Sequence, residues 1–193
     1  MSLLDIVFHP EITVGDCVEI LQHLSDRGVT AFVAGGWLRD KDQGLSPKDL
    51  DIFILNPGGR CIKNIRVGDA ILGSHDLFPN YPESPMRSDV EYVMKYPNHD
   101  IDFIVMHSQT IHDVIEHFDL SICQIWGVLV DGHIDVYASK HYNEWNNNKI
   151  IYRYTDIPTC DAHLNRVKRK FGVEFTKVVS GDFEAVKIGE LNV

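Results

Sequence analysis

Two pairs of aspartates, each with one residue between its members, could hold a metal ion in this sequence. Asp49 and Asp51 lie in "DLDIFIL", and Asp100 and Asp102 lie in "HDIDFIVM". Both segments have the composition of strands, and side chains alternate across a strand, so the members of each pair share a face. Neighbouring strands with carboxylates on one side would form a site for Mg²⁺ or Mn²⁺. The alternative is a solvated or salt-bridged strand end.

A glycine pair, Gly35 and Gly36, lies about fifteen residues before the first aspartate pair. Glycines between a strand and a helix let backbone N–H groups approach a phosphate, and the helix start favours negative charge. The alternative is an ordinary turn. The sequence contains neither the G-K-[ST] of a P-loop nor the G-x-G-x-x-G of a dinucleotide site. Glycines followed by carboxylates on two strands predict two-metal phosphoryl or nucleotidyl transfer.

Three segments resemble one known superfamily. "VAGGWLRDKDQGLSPKDLDIFIL" resembles the G-G-x-x-R-D…D-x-D signature of polymerase-β-type nucleotidyltransferases, and is most similar to the head domain of tRNA CCA-adding enzymes and bacterial poly(A) polymerases. "FDLSICQIWGVLVDGHIDVY" is similar to that family's R-R-D-F-T-I-N-A segment, with His117 and Phe118 in place of Arg-Arg. "IPTCDAHLNRVKRKFG" is similar to the helix that ends the head region.

The resemblance implies a catalytic site. Asp49 and Asp51 would hold two Mg²⁺ ions (Mn²⁺ is the substitute), and Asp102 would be the third carboxylate, with Asp100 as the alternative. The implied reaction transfers a nucleoside monophosphate from an NTP, ATP or CTP, to a hydroxyl acceptor with release of pyrophosphate. The default acceptor is an RNA or tRNA 3′ end. The alternatives are a small-molecule or protein acceptor, and an inactive relative that binds nucleotide.

The resemblance also implies a nucleotide-binding set. Gly35 and Gly36 would hold the β- and γ-phosphates. Arg39 has two open roles: contact with the triphosphate, or an ion pair with Asp40 or another acid that braces the turn. The remaining implied nucleotide-binding residues are Asp119, Arg166 and Arg169. For the two arginines, a solvated helix face near a C-terminus, where cations suit the helix dipole, is the alternative.

Composition limits the class of protein. The chain has 193 residues and a net charge of −10, which disfavours non-specific binding of nucleic acid over the whole surface. It contains no apolar run long enough for a membrane span, and its start lacks the pattern of a secretory signal. The four cysteines are far apart in sequence, which predicts free thiols, no disulfide-linked partner and a cytoplasmic location.

The predicted elements alternate between helices and strands. Segment 56–88 is predicted to be a long loop with a short helix near 67–72, and Asp131-Gly132 a two-residue hairpin turn. The order predicts an α/β or α+β domain with a mixed sheet flanked by helices. The resemblance implies that this is the nucleotidyltransferase head fold. Residues 1–157 would form this domain, and 158–193 a C-terminal helical extension packed on it. Thr13 and Ser108 are predicted to be helix N-caps. Helices are predicted at 13–28, 37–44, 108–118 and 158–171, and strands at 29–34, 49–55, 89–96, 99–106, 120–130, 133–139 and 150–154.

Overall fold

A computed structural model describes most of the chain. The described residues are 11–59, 66–67, 70–71, 89–96, 99–154, 161–173, 176–179 and 183–193. The helices are α1 (Val14–Ser25), α2 (Gly36–Asp42), α3 (Ile111–Ile115), α4 (Lys140–Asn148) and α5 (Asp161–Phe171). The strands are β1 (Thr30–Ala34), β2 (Leu50–Leu55), β3 (Arg66–Val67), β4 (Ala70–Ile71), β5 (Val90–Lys95), β6 (Ile101–Met106), β7 (Ile125–Val130), β8 (His133–Ser139), β9 (Ile151–Tyr154), β10 (Thr176–Val179) and β11 (Ala185–Leu191).

Seven strands form one mixed sheet in the order β11-β8-β7-β1-β2-β6-β5. The β2–β6 pair is parallel, and the other neighbouring pairs of this sheet are antiparallel. Two small sheets, β9–β10 and β3–β4, complete the described strands. The predicted mixed sheet flanked by helices is confirmed.

The centre of the sheet is buried on both faces. Leu50, Ile52 and Ile54 of β2 are fully buried, and so are Ile101 and Phe103 of β6. A strand that is apolar on both faces belongs inside a sheet, because it gains most from burial there. The two aspartate-containing segments therefore become adjacent central strands.

Helix α1 covers the sheet with an apolar stripe of Cys17, Ile20, Leu21 and Leu24. Its start is fixed by the predicted N-cap, Thr13, whose hydroxyl accepts a hydrogen bond from the Asp16 amide, while the Asp16 carboxylate accepts from the Thr13 amide. This reciprocal capping box satisfies amides that the helix itself leaves unpaired. The helix stacks mainly against β1.

The predicted hairpin between β7 and β8 is present. Asp131 has φ of 46° and Gly132 has φ of 83°. Positive φ at both central residues is the requirement of a type I′ turn, which Asp-Gly satisfies at low cost.

Two local predictions were wrong. The described residues near 67–72 form strands β3 and β4 in place of the predicted helix. Helix α3 is capped by Thr110, not by the predicted Ser108, since Thr110 and Asp113 form a second capping box. The polar stretch after β8, for which no element was predicted, forms α4, because Ser139 caps it and Tyr142 and Trp145 bury one face.

The C-terminal segment is helical only in its first part. The predicted helix is present as α5, with residues 155–160 outside the described part of the chain. After it, β10 pairs with β9, and β11 joins the main sheet beside β8. The domain boundary at 157/158 stays a prediction, and most of the predicted 56–88 loop lies outside the described residues. Among the described helices, none has the length and hydropathy that a membrane crossing requires.

Candidate active site

The two aspartate pairs meet at the β2–β6 junction. Asp51 lies directly opposite Asp102 in the parallel register, and Asp49 is exposed just before β2 begins. Asp100 is exposed just before β6, where its carbonyl oxygen accepts a hydrogen bond of 2.8 Å from the Leu50 amide. Asp51 and Asp102 are thus side by side inside the sheet, while Asp49 and Asp100 lie where their strands begin.

Burial and nearby negative charge raise the pKa of Asp51 from 3.8 to about 7. Burial of the carboxyl is the largest cause, followed by the charges of Asp102 and Asp49, while Lys95 and Arg39 act in the opposite direction. Burial penalises the charged form, and neighbouring carboxylates repel it. Asp100 is not among the causes. The electrostatic cluster therefore contains Asp49, Asp51 and Asp102.

Lys95 is a site residue that the sequence analysis missed. It is opposite Asp102 in the antiparallel β5–β6 register, and its Nζ lies 3.2 Å from both carboxylate oxygens of Asp102. Its side chain is 61% exposed, so the ammonium can move away from Asp102 at little cost. Lys95 was missed because its position opposite Asp102 depends on the β5–β6 register. That register cannot be known from the sequence of either strand alone.

The glycine pair forms the turn from β1 into α2. Gly35 has φ of 78° and ψ of −130°, a conformation that residues with a Cβ rarely adopt. Its amide donates to the carbonyl oxygen of Ile125 at 2.9 Å, within the β1–β7 junction. Gly36 begins α2, so its amide belongs to the group that a helix start leaves without an intrahelical acceptor. Of the two predicted phosphate ligands, Gly36 is the one with an available backbone donor.

The turn lies beside the carboxylates. The pair of the β1–β2 register nearest the glycine turn joins Val33 to Ile52, one residue from Asp51 on β2 and two residues from Gly35 on β1. Helix α2 also packs against β2 and β7. The structure therefore brings the glycine turn and the aspartate cluster to the same end of the central strands.

Of the two roles considered for Arg39, its contacts fit the ion pair with Asp40 that braces the turn. It is buried, its Nη2 lies 3.0 Å from Asp40 Oδ1, and the Nε also donates to that oxygen. The other Asp40 oxygen, Oδ2, accepts from Lys170 on α5. The Arg39 guanidinium also stacks over Phe171 of α5, 5.0 Å from the ring centre. Helix α2 is therefore tied to α5 by the Asp40–Lys170 ion pair and by the stacking of Arg39 on Phe171.

The remaining predicted nucleotide ligands lie on or beside α5. Asp119 Oδ2 is 3.0 Å from Nδ1 of His163, another residue that the sequence analysis did not assign to the site. This hydrogen bond is the first cause that raises the pKa of His163 from 6.5 to about 10. Arg166 and Arg169 are exposed on α5. Asp119 is thus engaged by a cation of the protein, whereas both arginines face solvent.

A second group of possible metal ligands lies at the sheet edge. The ligand atoms of His133, Asp135 and Glu190 lie within 4.8 Å of one another. However, Lys187 Nζ is 2.9 Å from oxygens of both Asp135 and Glu190. The ammonium group already neutralises these carboxylates, so this cluster is an ion-pair network joining β8 to β11.

Comparison with known proteins gives a similarity in fold and no match in sequence. No protein-family model matches the sequence, and no curated protein matches it. Part of the chain is similar in fold to the crystal structure of the Bacillus stearothermophilus CCA-adding enzyme in complex with CTP, with 14% sequence identity and a TM-score of 0.48. The similarity covers 71% of this chain and 32% of that chain, so this chain spans about a third of the length of that enzyme. We therefore argue its function from its own residues.

Proposed function

We propose that the protein is a Mg²⁺-dependent nucleotidyltransferase, with Mn²⁺ as a substitute metal. It would transfer a nucleoside monophosphate from ATP or CTP to a hydroxyl acceptor and release pyrophosphate. The observation that carries this proposal is the direct register between Asp51 and Asp102 on adjacent parallel strands, with Asp49 just before them.

A divalent cation would have to draw the oxygens of Asp49, Asp51 and Asp102 together on binding. Among the described residues, only His133, Asp135 and Glu190 have three ligand atoms within 4.8 Å of one another. Burial, followed by the charges of Asp102 and Asp49, raises the pKa of Asp51 to about 7, despite the nearby charges of Lys95 and Arg39. Carboxylate oxygens are the ligands that Mg²⁺ prefers, and a bound dication would favour the ionised form of Asp51. Asp49, Asp51 and Asp102 would hold the metal, which would supply charge stabilisation for the transferred phosphoryl group and activate the acceptor hydroxyl.

The chain's own residues would position the triphosphate. The Gly36 amide at the start of α2 would donate to a phosphate oxygen, and the missing Cβ of Gly35 would allow the close approach. Lys95 would leave Asp102 when the metal binds, because an exposed ion pair contributes little free energy and its ammonium group would be hydrated instead. Arg39 would hold α2 in place through Asp40 and would not contact phosphate.

The proposal has three forms: two that differ in the acceptor, and a third in which the protein binds nucleotide without transferring it. The exposed Arg166 and Arg169 of α5 favour an RNA acceptor, with a tRNA 3′ end as the first candidate, because cations there would contact a phosphate backbone. The net charge of −10 favours a small-molecule or protein acceptor. Retention of Lys95 on Asp102 with nucleotide bound would favour the third form, an inactive nucleotide-binding relative.

The test is incubation with α-³²P-labelled ATP or CTP, Mg²⁺ and total RNA, followed by separation of RNA, protein and small products. We expect label to enter one fraction together with release of pyrophosphate, and we expect Asp51→Asn and Asp102→Asn to abolish transfer. Asp100→Asn is the matched control, since Asp100 is exposed and outside the cluster. Label in RNA supports the RNA form, and label in another fraction supports the second. Absence of transfer together with nucleotide binding supports the inactive relative, and absence of both refutes the proposal.

A further inference from the structure

The thiol of Cys123 contacts two cationic side chains from different helices. Its Sγ lies 3.9 Å from Nε2 of His163 on α5 and 3.7 Å from Nη1 of Arg39 on α2. Cys123 ends the 3₁₀ turn Ser121–Cys123, just before β7. Its sulfur therefore lies between two positively charged groups, the kind of surroundings in which reactive cysteines are found.

Asp119 fixes the imidazole that faces this thiol. Its Oδ2 lies 3.0 Å from His163 Nδ1, so the imidazole contacts a carboxylate through one nitrogen and the sulfur through the other. Both contacts favour the imidazolium: the hydrogen bond to Asp119, then that to Cys123, raises the pKa of His163 to about 10. The order thiol, imidazole, carboxylate is the arrangement that activates nucleophilic cysteines.

Cys17 and Cys123 are the cysteines in the described part of the chain, and of these two only Cys123 has this arrangement. Cys17 is fully buried on α1, and burial raises its pKa further above the ordinary range. Cys123 is 8% exposed, and the side chain of its partner His163 is 25% exposed. A small reagent would approach the sulfur from the side of the partly exposed imidazole, whereas Cys17 is expected to be inert.

We propose that Cys123, His163 and Asp119 form a reactive-thiol site at which hydroperoxides oxidise Cys123 to a sulfenic acid. The thiolate sulfur attacks the terminal oxygen of the peroxide, so that an S–O bond forms while the O–O bond breaks. Sulfur loses two electrons, and the peroxide is reduced to water or an alcohol. The leaving oxide takes its proton from the His163 imidazolium. This site does not depend on the proposed nucleotidyl transfer.

The first test measures alkylation of Cys123 by iodoacetamide from pH 5.5 to pH 9, with peptide-level mass spectrometry. We expect Cys123 at pH 6 to be alkylated faster than free glutathione at an equal concentration, because an imidazolium and a guanidinium contact its sulfur. Cys17, in the same sample, serves as the reference for a buried thiol. A Cys123 rate that does not exceed that of glutathione, or that of Cys17, overturns the proposal without any variant.

Two variants separate activation by the imidazole from a general effect of losing a histidine. At pH 6, His163→Gln should slow alkylation of Cys123 about tenfold, because the variant lacks the imidazolium that stabilises the thiolate. The thiolate that does form is more nucleophilic, which offsets part of the loss. His133→Gln is the matched control, because His133 also pairs with an aspartate at 3.0 Å and its side chain is 26% exposed. Equal rates in the two variants, each checked for folding by circular dichroism, overturn the role of His163.

Oxidation itself is tested with hydrogen peroxide at pH 6 in the presence of dimedone, which traps sulfenic acids. We expect the dimedone adduct on Cys123, absent from Cys17, and formed faster than that of an equal concentration of free glutathione. The adduct should become rarer in His163→Gln and be unchanged in His133→Gln. Oxidation of Cys123 that is slower than that of glutathione overturns the proposed reaction with peroxide.

Discussion

At the scale of single residues, Asp51 is the centre of the candidate site because three conditions meet at its carboxyl group. It is removed from water, it faces Asp102 across the parallel register, and Asp49 lies two residues before it. Each condition alone disfavours the ionised form, and together they raise its pKa to about 7. A group that resists ionisation in a folded protein lowers the stability of that protein when it is forced to ionise.

The raised pKa of Asp51 gives the metal-free protein a defined pH dependence. Between about pH 4 and pH 7 the folded state keeps a proton on Asp51 that the unfolded state releases, so this group makes stability fall as pH rises. Relative to pH 4, we expect a loss of roughly 2 kcal/mol at pH 8, an amount discounted for partial exposure. Urea unfolding in EDTA at each pH measures it.

The control for this prediction is Asp51→Asn, which carries no titratable group. The difference in unfolding free energy between this variant and the unchanged protein should grow in favour of the variant from pH 4 to pH 8. Parallel pH profiles for the two proteins would contradict the prediction, because the remaining carboxylates are common to both.

At the scale of elements, α2 is held between the sheet and α5. The glycine turn sets the direction in which α2 leaves β1. The Asp40–Lys170 ion pair and the stacking of Arg39 on Phe171 join α2 to α5. A seven-residue helix has little stability of its own, so these contacts fix its position. The amide of Gly36 is consequently positioned by residues that lie far apart in the sequence.

The conformation of Gly35 makes a second prediction. Gly35→Ala should destabilise the fold by about 1–3 kcal/mol, because alanine at φ of 78° and ψ of −130° is strained whatever space surrounds it. The added Cβ would also contact Phe118 Cε2 at 3.7 Å, which is ordinary packing. Urea denaturation measures the loss. Gly36→Ala is the control, since Gly36 is in α2 without a positive φ, and an equal loss in both variants would contradict the prediction.

The ion pairs of Asp40 make a third prediction. Asp40→Asn should lower the free energy of unfolding by about 3 kcal/mol, because the buried Arg39 guanidinium loses its charged partner. Asp42→Asn, on the same helix, is the matched control. Its exposed carboxylate accepts a hydrogen bond from the Tyr142 hydroxyl, and an asparagine oxygen would still accept it. A similar small loss in both variants would show that the Asp40 ion pairs contribute little.

At the scale of the whole molecule, charge is distributed unevenly. The chain carries a net charge of −10, yet α5 ends with Lys168, Arg169 and Lys170 and exposes Arg166 as well. One of these cations, Lys170, is engaged by Asp40. Of the other three, Lys168 is half-buried, so the exposed Arg166 and Arg169 are the positions from which α5 could best contact a polyanion. Against an acidic background, such contacts would be sensitive to salt.

RNA binding through α5 would give a measurable change in salt dependence. If Arg166 and Arg169 each contact one phosphate, the double change Arg166→Gln with Arg169→Gln should make the slope of log K against log salt shallower by about 1.4. Fluorescence anisotropy with a labelled single-stranded RNA, at KCl concentrations from about 50 to about 300 mM, measures this slope. Arg27→Gln, an exposed arginine after α1, is the control. An unchanged slope would exclude α5 from RNA binding.

The sequence by itself determined what depends on neighbours along the chain. The capping box at Thr13, the Asp131-Gly132 turn, and the faces of the two aspartate pairs follow from rules that act over a few residues. Local rules were less successful for α3 and α4. The predicted helix at α3 is present, but Thr110 caps it in place of Ser108. Helix α4 was not predicted, and two buried aromatic residues stabilise it.

Only the tertiary structure decided which distant residues meet. Whether β2 and β6 are neighbours, and in which register, depends on how the whole sheet packs, and a shift of one residue would separate Asp51 from Asp102. The same holds for the contact of Lys170 with Asp40, 130 residues apart, and of His163 with Cys123, 40 residues apart. Local sequence patterns specify the face of a helix or strand on which a side chain lies. The burial of apolar surface over the whole molecule decides which other helix or strand packs against that face.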